Sequence, residues 1–173
     1  KTPDNTFYAR DVSRPMVFTV DGTLVDDFRK GADELRRKDL FEFRAYNANH
    51  IELTRGEQAV VLEMAKGASE NAANKWRRVS PNPAALDHDK TEAFLMKLSN
   101  MRAIAFADPG AKAGLESPAL TVHAKFEDKK EERVNFGKVG SDVYAAPPGE
   151  SGIAKVDATE FNDAMKALDE VAK

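Results

Sequence analysis

The chain has 173 residues, 42% of them hydrophobic and 32% charged, with 26 Lys and Arg against 29 Asp and Glu and no cysteine. That is the make-up of one ordinary globular domain with a sizeable core, and it excludes collagen, a disordered tail and a disulfide scaffold. A net charge of −3 gives no basic excess for nucleic acid, and no apolar run is long enough to span a bilayer.

Three segments show the 3.6-residue periodicity of amphipathic helices. The first covers residues 23–38, with Leu24, Phe28, Ala32 and Leu35 on one face. The second, 90–103, aligns Phe94, Leu95, Leu98 and Met101, and the third, 158–172, aligns Phe161, Ala164, Met165, Leu168 and Val171. Asp89 and Asp157 each stand three residues before a glutamate, a capping signature that marks the second and third starts. Between the helices the pattern alternates with period two. Residues 51–54 turn at Arg55-Gly56-Glu57 and return as 59–64; 67–74 read as a polar loop and 75–79 as the next strand. Later, 121–126 turn at 127–130 and return as 132–136, followed by strands at 143–146 and 153–156. Short turns between alternating runs predict antiparallel meanders with one wet face.

An Asp-x-Thr recurs at Asp21, Asp89 and Asp157, spaced by 68 residues each time. Its coincidence with the predicted helix starts points to duplication. The expected fold is therefore α+β: a single domain over 1–173 built from two similar helix-plus-meander units, 16–86 and 87–173, closed by a C-terminal helix.

Phe18-Thr19-Val20-Asp21-Gly22-Thr23 resembles the haloacid dehalogenase signature, in which the first aspartate of Asp-x-Asp-Gly-Thr is the nucleophile. Thr19 occupies that position, without an adjacent base to activate it, so a strand ending at Asp21-Gly22 with Thr23 capping a helix is the better reading. His50, His88 and His123 share no metal-ligand spacing; Asp87-His88-Asp89 reads as a solvated cap, and His123 falls on the polar face of its strand. Gly137 to Asp142 joins two strands as a turn. Trp76 among Lys75, Arg77 and Arg78 has a composition that also binds nucleic acid or anionic sugars, but a strand with Trp76 inward and its arginines on acids accounts for it. No catalytic constellation, metal site or cofactor is expected.

Several stretches, taken in order, resemble the bacterial domain-of-unknown-function family 4340. They are Phe7-Tyr8-Ala9-Arg10, Arg37-Lys38-Asp39-Leu40-Phe41, Ile51-Glu52-Leu53-Thr54-Arg55, Trp76-Arg77-Arg78-Val79-Ser80-Pro81, Gly114-Leu115-Glu116-Ser117-Pro118, Asn135-Phe136-Gly137 and Val143-Tyr144-Ala145. The resemblance runs over about residues 7–171. It implies a soluble extracytoplasmic domain tethered by an N-terminal membrane segment, often encoded near ABC-transporter components. A chain opening at Lys1 without an initiator methionine fits a cleaved leader or a piece of a longer protein. The family carries no established catalytic residues. The expected function is a non-enzymatic interaction or accessory module with transporter subunits or other envelope proteins as partners, no nucleic acid, and membrane contact only through the anchor. A small-ligand or glycan binder, and a cytoplasmic location, are the alternatives. The expected partner surface comprises Trp76, Arg78, Tyr46 and Tyr144, with the loop at Pro147 and Pro148.

Overall fold

The computed structural model describes residues 2, 4–67, 74–108, 110–127, 129–147 and 152–172. The chain, expected as one domain, divides into two compact units, Lys1–Arg37 and Lys38–Lys173. In the first, β1 (Thr6–Arg10) and β2 (Val17–Asp21) pair antiparallel, with Phe7 opposite Val20 and Ala9 opposite Phe18. They lead into α1 (Gly22–Arg29) and α2 (Ala32–Leu35). The single helix expected over 23–38 is thus broken. Lys30 turns extended, at ψ 135°, and Gly31 follows, a residue that costs about 1 kcal/mol against Ala inside a helix. Nor does the predicted stripe reach a core: Leu24, Phe28 and Leu35 are exposed, Phe28 at 82%. The cap is Asp21 rather than Thr23, its carboxylate accepting from the Thr23 backbone N–H at 2.8 Å and hydroxyl at 2.6 Å.

The second unit is a nine-stranded, wholly antiparallel sheet with two long helices, an α+β architecture. Its elements are β3 (Ala48–Arg55), β4 (Gln58–Ala65), β5 (Lys75–Ser80), β6 (Ala84–Ala85), α3 (His88–Ser99), β7 (Ala103–Phe106), β8 (Leu120–Phe126), β9 (Lys130–Val139), β10 (Asp142–Ala146), β11 (Ala154–Val156) and α4 (Ala158–Val171). The strand order is β6-β5-β4-β3-β8-β9-β10-β11-β7. Two meanders therefore start side by side at β3 and β8 and run outward in opposite directions, each ending in a helix. The strands alternate as their sequence predicts. Ile51, Leu53, Leu62, Trp76, Val122, Ala124, Val134, Phe136, Val143 and Val156 are buried together with Phe94, Leu95, Leu98, Phe161 and Leu168 of the helices. Phe41, Phe136 and Phe161 form an aromatic chain, at centroid distances of 6.1 and 5.3 Å, that ties the approach to β3 and strand β9 to α4.

The helices start at Asp87 and Asp157, which cap α3 and α4. Asp89 lies inside the first turn, so the even 68-residue spacing of Asp-x-Thr does not mark equivalent caps. Measured from the true caps the offset is 70 residues. At that offset Thr91 and Phe161, Phe94 and Ala164, Leu98 and Leu168, and Met101 and Val171 are all buried. Gly114 and Gly137, both in stretches that carry the family resemblance, meet backbone to backbone. A Cβ on Gly137 would strike the Ala113 carbonyl, and Gly114 sits at φ +69° against Lys138.

Candidate functional surface

The helices occupy one face of the sheet; the alternate positions of β3, β4, β8 and β9 point to the other. There the antiparallel register sets Glu52 opposite His123, His50 opposite Glu63, and Glu63 opposite Arg77. The side chains join into a row across five strands. Arg77 Nη2 donates to Glu63 Oε2 at 3.0 Å, and Glu63 Oε1 lies 3.3 Å from His50 Nδ1. His50 Nε2 is 2.9 Å from Glu52 Oε1, and Glu52 Oε2 is 3.5 Å from His123 Nδ1. His123 Nε2 then reaches Glu131 Oε2 at 3.3 Å. Lys125 stands opposite His50 and Arg133 opposite His123 in the same registers. Both imidazoles are half-buried.

The His50 hydrogen bond, reinforced by His123 and opposed by burial, holds the Glu52 carboxyl below its ordinary 4.5. For Glu63 the lowering comes first from the Arg77 guanidinium. Each imidazole has a carboxylate at both ring nitrogens; a neutral ring donates from one nitrogen only. The row offers donors and acceptors to a polar partner. Among the described residues no group of three or more His, Asp or Glu is placed to hold a metal ion, and no helix is long and apolar enough to cross a membrane.

The residues expected to form a partner surface scatter. Trp76 is 1% exposed and belongs to the core. Arg78 is 8% exposed and structural: its Nε donates to the Asn82 carbonyl at 2.8 Å, and Nη1 donates to the Ala172 carbonyl at the end of α4. A cation there also meets the negative end of the helix dipole. As partner-surface residues both are corrections, while the inward Trp76 agrees with the strand reading: parity along β5 points positions 76 and 78 inward, and it is Arg77 that faces out. Tyr144 is half-buried beside Asp142 and Pro147 is half-buried, while Pro148 lies outside the described residues.

Tyr46 is 84% exposed. It sits on a turn fixed by Asn47 and Ala48 N–H groups donating to the Arg44 carbonyl and by Arg44 N–H donating to Asn47 Oδ1. The neighbouring hairpin end is tied in by Glu127 N–H to the Asn47 carbonyl and by Asn49 Nδ2 to the Glu127 carbonyl. This presents a large aromatic at low conformational cost. The His50–Glu52–His123 row escaped sequence reasoning because it depends on β3 lying beside β8, two strands about 70 residues apart; the shared parity of His50, Glu52 and Glu63 in one hairpin was the available signal.

Asp21, in the haloacid-dehalogenase-like stretch, caps α1 beside a two-stranded antiparallel sheet. A hollow of about 430 Å³ opens at the sheet edge, lined by Arg77, Arg78, Val79, Pro83, Ala84 and Ala85.

These features define an antiparallel α+β domain with one helix-covered and one ionisable sheet face. The chain belongs to the family described as domain of unknown function (DUF4340), whose family model matches residues 1–118. No curated protein and no solved structure matches it.

Proposed function

We propose that this chain is a non-enzymatic interaction module whose contact surface is the open sheet face from the His50–Glu52–His123 row to Tyr46. The observation that carries this reading is the asymmetry of the sheet. Its helix side is packed with apolar residues, while the other side holds an ionisable row whose two imidazoles are half-buried; an exposed aromatic stands on a hydrogen-bonded turn just before β3. Rigid exposed aromatics are the usual anchors of protein interfaces. The family resemblance supports a further reading: an extracytoplasmic domain, tethered by a membrane segment and serving an ABC-type transport system. The domain is used as bait against detergent-solubilised membranes of its own organism, alongside Tyr46→Ala and Glu52→Lys. Recovery of transporter subunits that either substitution abolishes supports the reading; recovery indifferent to both refutes this surface.

The hollow beside β6 favours one second reading, a site for a small ligand or glycan. A phosphotransferase is the remoter alternative, since Thr19 stands at the nucleophile position. Turnover of an aryl phosphate with Mg²⁺, lost in Asp21→Asn, overturns the non-enzymatic reading.

The architecture supports internal duplication in a strand-first frame: β3-β4-β5-β6-α3 and β8-β9-β10-β11-α4, related by a pseudo-two-fold between β3 and β8. The matched caps and buried positions at the 70-residue offset are what favour it.

A further inference from the structure

We propose that the hollow at the β5–β6 edge binds a small carboxylate with an apolar body, and that Arg78 is its counter-ion; this deepens the small-ligand reading of that hollow and rests on it. Arg78 is 8% exposed, so its guanidinium is a buried charge, and buried charges are normally paired. Its partners are neutral. Nε and Nη1 donate to the carbonyls of Asn82 and Ala172, and among the described residues it has no carboxylate partner. Arg44, Arg55, Arg77 and Arg102 are all more exposed, yet each has a carboxylate within 4.0 Å. The end of α4 answers Arg78 with only about half an elementary charge. Positive charge is left over, and so are the remaining N–H groups of the guanidinium fork.

The lining selects the occupant. The hollow, of about 430 Å³, is of the size that takes small molecules. A planar guanidinium matches a carboxylate with two parallel hydrogen bonds, which suits it better than a lone hydroxyl or carbonyl. Arg77 lines the hollow as well, but its guanidinium is engaged by Glu63 at 3.0 Å, so the charge left to answer is that of Arg78. The strand register places Ala84 opposite Arg78, and a single methyl there leaves room beside the cation. Val79, Pro83, Ala84 and Ala85 otherwise offer methyl groups and a ring in place of the side-chain donors and acceptors a sugar needs. The body of the ligand is therefore apolar.

Titration of the isotope-labelled whole chain with benzoate, followed by amide NMR, tests this, with benzyl alcohol and methyl glucoside as neutral probes. Saturable benzoate shifts are expected at the amides of residues 77–79, 84 and 85, matched by neither neutral probe. Arg78→Lys keeps the charge but loses the fork, and should weaken benzoate about tenfold or more. Ala84→Leu fills the hollow and should abolish the shifts; circular dichroism confirms the folding of each variant, and either one alone is decisive. Benzyl alcohol or the glucoside binding there as tightly as benzoate overturns the carboxylate but leaves the hollow a ligand site. No shift from any probe overturns both. Benzoate binding that a folded Ala84→Leu or Arg78→Lys leaves intact lies elsewhere and overturns the proposal too.

Discussion

Glu52 is the hinge of the ionisable row, because its two oxygens face two imidazoles, and its carboxyl titrates lower in the folded chain than the ordinary 4.5. A folded value below the unfolded one means the interaction stabilises fully above the ordinary range and is lost as pH falls through the folded value. Glu52→Gln should therefore cost stability near neutrality and converge on the parent in acid. Urea unfolding between about pH 7 and 3 measures this, and curves that stay parallel contradict it. At Arg78 the expectation reverses from surface to interior. Arg78→Met leaves the Asn82 and Ala172 carbonyls without their donor, which should cost about 1–3 kcal/mol; a loss within experimental error contradicts the anchoring role. The identity of these residues was plain in the sequence, but their direction was not. In Lys75-Trp76-Arg77-Arg78 an inward Trp76 carries Arg78 inward with it and turns Arg77 out, but two adjacent arginines, read alike as surface cations, hid that step of parity.

Among the elements, legibility followed the locality of the interactions. The second and third helices are marked by periodicity and caps within a few residues, and Phe94, Leu98, Phe161 and Leu168 fill the core as their spacing predicts. Both hairpins declare themselves through alternation and turns. The first helix failed because an apolar stripe predicts amphipathicity, not a partner, and the break at Lys30–Gly31 was masked by that stripe. Chain-distant contacts were equally hidden. Gly114 and Gly137 were conspicuous only as parts of separate stretches, yet each removes a Cβ where the other's strand or loop backbone passes. Gly137→Ala should consequently disturb the 113–114 loop and lower the melting temperature, while Gly152→Ala, which meets no atom within 4 Å, should leave it unchanged. Equal melting of the two variants would contradict the close approach.

At the scale of the whole second unit, the α+β class and the antiparallel meanders were legible, whereas the even 68-residue spacing that suggested duplication does not fall on equivalent caps. The Asp-x-Thr repeat drew attention to Asp89, two residues past the true cap. If α3 and α4 are pseudo-equivalent neighbours, volume is exchangeable between positions 94 and 164. Phe94→Ala should cost about 3–5 kcal/mol and Ala164→Phe about 1–3, and the double variant should recover part of the loss through a coupling of about 0.5–3 kcal/mol. Strict additivity contradicts coupling between the two positions. The account as a whole rests on the open sheet face being the surface that meets a partner. Site-directed photocrosslinking tests this most directly, with the photoreactive residue placed at Tyr46, at Arg133 on the open face, and at Glu160 on the helix side. Adducts with the same membrane protein from 46 and 133 and none from 160 are predicted; adducts from 160 alone, or equally from all three, would contradict it.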